Sequence, residues 1–126
     1  MWYHGNMKGM KKLSEAKKPV LTILLLAAFA FSLMYVRMIR IMTNSMYPTI
    51  KAGDIVVLVR TKRLHKGNIG AYTMSGNGAT IVHRVISVHG KSYRFRGDAN
   101  NIADPKEIPS SAIVGRVVFT IPLSRL

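Results

Sequence analysis

From Pro19 to Val36 the chain carries no charged residue, and it reads PVLTILLL then AAFAFSLMYV. Eighteen residues of helix extend about 27 Å, close to the roughly 30 Å hydrocarbon core of a bilayer. The run is apolar on all sides, which argues against an amphipathic helix packed on a soluble core. Lys8, Lys11, Lys12, Lys17 and Lys18 precede it, with Glu15 among them, and Arg37, Arg40 and Lys51 follow. The denser lysine cluster places residues 1–18 in the cytoplasm and the rest outside. Ala28-Phe29-Ala30 has the small-x-small form of a leader cleavage site, but the apolar run continues six residues further. The expectation is an uncleaved transmembrane helix over residues 19–36 and one extracytoplasmic domain over 37–126.

The whole chain has 126 residues, with 19 Lys plus Arg against 5 Asp plus Glu, a formal net charge of +14. An apolar fraction of 48% excludes disorder along its whole length. The absence of Cys excludes disulfides, thiol catalysis and iron–sulfur clusters. The charge points to nucleic acid or an anionic membrane surface. After Arg37 the basic residues are scattered. Arg94 and Arg96 alternate with Tyr93 and Phe95, a faint signal for stacking on single-stranded nucleic acid. A solvated strand face, or attraction to anionic lipid, is the simpler account.

Residues 37–126 read as mostly β. Ile55 to Val59 (IVVLV), Ile69 to Met74, Thr80 to Val88 (TIVHRVISV), Lys91 to Arg96 and Ile113 to Ile121 are strand candidates, and Pro48, Pro105 and Pro109 punctuate loops. The expected fold is a mostly antiparallel β domain on one transmembrane helix. If His89-Gly90 is a two-residue turn, His83 faces Arg96, and Asp98 lies further along the same face. Pattern alone thus brings a carboxylate towards His83, although a one-residue slip reverses the face.

Thr43 to Ile50 (TNSMYPTI) follows the apolar run, and nine residues of chain reach at most about 30 Å. Ser45 is therefore tethered near the bilayer surface. SMYPTI, GDIVVL, IVHRVI, RGDANNIADP and GRVVFTIP follow in that order, and together they resemble the type I signal peptidase family. They cover most of Thr43 to Pro122. In common bacterial members a Lys precedes the Arg-Val of the third box. Here that position is His83, which resembles the endoplasmic-reticulum-like subtype found in eukaryotes, archaea and some Gram-positive bacteria.

The resemblance implies the mostly β signal-peptidase fold, with Ser45 as nucleophile and His83 as general base. A Ser hydroxyl needs a base within hydrogen-bond reach. An imidazole titrates close to working pH and can both take and return a proton. A third group should orient the imidazole. The resemblance matches Asp104 to that role and Asp98 to a supporting carboxylate, while a turn residue after Gly97 is the plainer reading of Asp98. Thr43 and the Ser45 backbone N–H match the oxyanion hole. Asn44 stands where Gly is frequent, and its side chain is a further candidate donor. Met46 is expected to pack at the membrane surface or under the site. Many relatives carry a second apolar segment after the last box, whereas four residues follow Pro122 here.

His4, His65 and His89 have no metal-ligand spacing with His83, so no metal and no cofactor are expected. The implied substrates are signal peptides of secreted preproteins, bound extended with small side chains at the first and third positions before the cut. Membrane lipid and the translocation machinery are the other expected partners, and nucleic acid is not. The rival is a non-enzymatic, membrane-tethered basic β domain that binds an anionic partner, which leaves Ser45, His83 and the two Asp unexplained. Self-cleaving repressor peptidases of similar fold are soluble and pair Ser with Lys, so the apolar run and His83 argue against them.

Overall fold

The computed structural model describes the backbone of residues 4–126 and the side chains of residues 14–126. The side chains of His4, Lys8, Lys11 and Lys12 therefore lie outside the described residues. Two compact units are separated between Tyr35 and Val36.

The first unit is a single helix, α1 (His4–Tyr35), with Pro19 inside it. It begins well before the apolar run, because SEAKK ahead of Pro19 is rich in good helix formers. Ser14–Tyr35 is long and apolar enough to cross a membrane, and none of its apolar window is buried. A soluble-core helix would hide that face. The helix stops at Tyr35, one residue short of the expected boundary, because Val36 opens a strand.

The second unit is one seven-stranded sheet. Its strands are β1 (Val36–Arg40), β2 (Ile55–Val59), β3 (Ile69–Thr73), β4 (Thr80–His89), β5 (Ser92–Arg96), β6 (Ile108–Pro109) and β7 (Ile113–Ile121). Their order is β1-β2-β7-β3-β4-β5-β6, and every neighbouring pair is antiparallel. The fold is thus the expected mostly antiparallel β domain with one N-terminal apolar helix.

Two clusters form the core. Ile41, Met46, Ile50, Val56, Leu58, Ala71 and Val82 make one. Leu64, Tyr72, Val85, Tyr93, Phe95 and Ile113 make the other. The alternation in β5 is a core pattern, with Tyr93 and Phe95 buried and Arg94 and Arg96 outside. Buried rings present no stacking face to a base.

The β4–β5 hairpin differs from its expected register. His89 pairs with Ser92, so Gly90-Lys91 makes the turn, and Gly90 supplies the positive φ (60°). The register then shifts between Val85 and Ser87, so that Arg84, not His83, pairs with Arg96. A bulge of this kind leaves one residue unpaired and re-aims the side chains beyond it. One step past the last pair, His83 comes to lie against Gly97.

Candidate active site

Ser45 sits in the loop between β1 and β2, and the sequence of that loop explains its shape. Met46 and Ile50 are fully buried and pin it to the core. Asp54, also fully buried, accepts from the Lys51 N–H (2.9 Å), from the Ser124 N–H (3.0 Å) and from the Ser124 hydroxyl. The Ser124 hydroxyl, then the Lys51 amide, hold the Asp54 carboxyl below its ordinary range. Asn44 Oδ1 accepts from the Ala52 N–H at 2.9 Å, so this side chain braces the loop. Met46 packs beneath the site, one of the two places expected for it.

His83 is buried on β4. Its Nε2 lies 3.1 Å from Ser45 Oγ, and its Nδ1 lies 2.7 Å from Asp104 Oδ2. With the proton on Nδ1 donated to the carboxylate, Nε2 is left to accept from the serine hydroxyl. Asp104 is placed by its own N–H, which donates to the Phe95 carbonyl at 2.8 Å. The Thr43 hydroxyl lies 3.2 Å from Ser45 Oγ. Thr43, Ser45, His83 and Asp104 thus form a line in which each side chain is within hydrogen-bond reach of the next, an arrangement able to deprotonate a hydroxyl and return the proton to a leaving group.

Asp98 stands apart from His83. It accepts two hydrogen bonds from Arg84 (2.9 and 2.8 Å) and one from the Thr49 hydroxyl (2.7 Å). The Arg84 guanidinium first, and the Thr49 hydroxyl after it, hold the Asp98 carboxyl below its ordinary range, while Asp98 raises Arg84. Asp98 thus ties the serine loop to the residue after His83.

Three contributors escaped the sequence reading. Gly97 is the first, since a Cβ there would lie 2.5 Å from the Ser45 carbonyl oxygen and 3.0 Å from His83 Nε2. Arg84, the partner of Asp98, is the second. The third is Tyr72 on β3, whose hydroxyl donates to Asp104 Oδ2 at 2.6 Å. Burial, and then the neighbouring carboxylate, push its phenol well above the ordinary tyrosine range, so it remains a donor. An aromatic in the strand candidate Ile69 to Met74 was the available signal for Tyr72, and nothing local marks Gly97 or Arg84. His65 and His89 are exposed, and His89 pairs with Glu107 at 2.7 Å.

A groove of about 330 Å³ runs into the site, lined by Ile39 to Thr43, Ser45 and Met46 on one side and Thr80 to His83 on the other. Its walls are largely apolar, and Ser45 and His83 both line it.

The chain is a member of the Peptidase S24-like family, whose model matches residues 26–118. It is 35% identical over 69 residues to the signal peptidase complex catalytic subunit SEC11 of Plasmodium falciparum (isolate 3D7). That match covers 51% of this chain and 38% of the relative, so the chain spans well under half the length of the protein it matches. Both findings agree with the resemblance carried by the five sequence boxes.

Proposed function

We propose that this chain is a membrane-anchored serine endopeptidase that removes N-terminal signal peptides from exported preproteins. The observation that carries the reading is the line Ser45 Oγ, His83 Nε2, His83 Nδ1, Asp104 Oδ2, with links of 3.1 and 2.7 Å. Ser45 attacks the scissile carbonyl while His83 takes its proton. Asp104 holds the imidazole and stabilises its charged form. The Thr43 hydroxyl and the Ser45 N–H receive the oxyanion. His83 then protonates the leaving amine, and a water activated by the same imidazole hydrolyses the acyl-enzyme. Histidine in place of lysine supports the endoplasmic-reticulum-like subtype.

The groove fits the substrate class. An extended peptide laid between Ile39–Thr43 and Thr80–His83 presents backbone to two strand ends and alternate side chains to apolar walls. Small residues at the first and third positions before the cut are admitted and bulky ones are excluded by contact. The helix α1 anchors the enzyme, its N-terminal end is cytoplasmic, and the β unit works outside. Membrane lipid and the translocation machinery are its surroundings.

A serine-directed acylating inhibitor tests the reading. One covalent adduct on Ser45, found by peptide mass mapping and lost in His83→Ala, is the expected result. A chain that stays folded and unlabelled contradicts it and favours a basic binding domain.

A further inference from the structure

Asp104 Oδ2 accepts two hydrogen bonds, one from His83 Nδ1 at 2.7 Å and one from the Tyr72 hydroxyl at 2.6 Å. A single carboxylate oxygen therefore serves both the imidazole and a phenol. The Tyr72 ring is buried and packs against the fully buried Phe95, with 4.7 Å between centroids and the ring planes tilted by 39°. Phe95 in turn supplies the carbonyl that accepts from the Asp104 N–H. The hydroxyl is thus aimed by the core rather than by solvent, and its partner is anchored by the same core.

We propose that Tyr72 is a positioning residue that sets the strength of the general base, by holding Asp104 Oδ2 in place and drawing part of its charge away from His83. This rests on the serine-peptidase reading above. A hydrogen bond to an ionised carboxylate favours the charged form and lowers its proton affinity. A carboxylate shared with a phenol attracts an imidazolium less than an unshared one. Tyr72 thereby fixes the oxygen that selects the productive tautomer of His83. Around the trio, Arg84 is paired with Asp98, Arg96 lies opposite Arg84 on β5, and Lys106 lines a cavity shared by Tyr72 and Asp104. Among the described residues none of these cations donates to Asp104. Tyr72 is the side chain that competes with His83 for that oxygen.

Two variants at the same position separate positioning from mere packing. Tyr72→Phe keeps the ring and removes the hydroxyl. It should lower kcat about tenfold, the worth of one hydrogen bond to a charged group, with KM unchanged. It should also move the acidic limb of the kcat/KM profile up by roughly half a pH unit. Incorporation of 3-fluorotyrosine at position 72 makes a stronger donor of the same shape and should move that limb down. The full chain is assayed in detergent micelles on a model preprotein, beside Ser45→Ala. Opposite displacements of the limb carry the proposal. Limbs that coincide in all three proteins overturn it while leaving the peptidase reading intact, provided Ser45→Ala is inactive. An active Ser45→Ala overturns the peptidase reading itself. Should Tyr72→Phe fail to fold, the fluorotyrosine protein alone decides, because fluorine leaves the packing in place.

Discussion

Gly97→Ala is a sharp test of how the site is held together. Gly97 is not among the glycines with positive φ, so alanine fits its backbone and only space is at issue. The added methyl would sit 2.5 Å from the Ser45 carbonyl oxygen, 2.8 Å from Asn100 Nδ2 and 3.0 Å from His83 Nε2. Ordinary contact begins at 3.4 Å, so close to 1 Å of movement has to be found. The Ser45 carbonyl cannot supply it freely, because it accepts from the Ala99 N–H at 2.9 Å. The serine and the imidazole are driven apart instead. A misplacement of about 1 Å costs on the order of 100-fold in rate. Overpacking of this kind costs about 1–3 kcal/mol, a fall in Tm of roughly 5 to 20 °C for a unit of this size. The assay is kcat/KM on a model preprotein below the variant's Tm. Gly67→Ala is the control, since Gly67 has φ 92° with nothing within 4 Å of its added Cβ. It should lose stability by strain and keep the activity of its folded fraction. If Gly97→Ala cleaves as fast as the native chain, the close approach does not hold the dyad, and the reasoning fails.

Further outcomes follow from the same contacts. Thr43→Val should lower kcat about 100-fold or more with little change in KM, the loss expected for one oxyanion donor, as read by steady-state kinetics. Asp98→Asn should be less stable than the native chain at pH 6 in urea titrations. Because the folded state depresses the Asp98 carboxyl, its contribution is fully present above about pH 4 and is lost as pH falls further, so the gap should narrow there. A gap that is constant from pH 6 to pH 2 would contradict the Arg84 pairing. Ile50→Ala empties a fully buried position under the serine loop and should cost about 2–5 kcal/mol of unfolding free energy.

The strands with β-branched runs were legible in the sequence because their composition and length leave little choice. IVVLV, TIVHRVISV and IVGRVVFTI became β2, β4 and β7. VRMIR was not legible as β1, since its first residue reads as the tail of the apolar run and two arginines dilute the rest. The two-residue β6 is too short to leave a pattern. In the hairpin the alternation was right but the register was not. The turn one residue later would set Val85 opposite Arg96, and the unpaired residue near Ile86 brings Arg84 there instead of the expected His83; no local composition announces a bulge.

The site was legible in its members and not in its connections. Ser45, His83 and Asp104 were named from the boxes, and the fold brings them together. Asp98 was expected near His83 by register and instead joins Arg84 to Thr49. Tyr72 and Gly97 act through contacts between residues far apart in the chain. A sequence shows that one is aromatic and the other lacks a side chain, but not which oxygen or ring atom each one meets.

The most direct measurement is cleavage of a model preprotein by membranes that contain the native chain, Ser45→Ala or His83→Ala at equal abundance. The account predicts one cut after a small-x-small segment with the native chain and none with either variant. Equal cleavage by all three, with every protein inserted and folded, would contradict it.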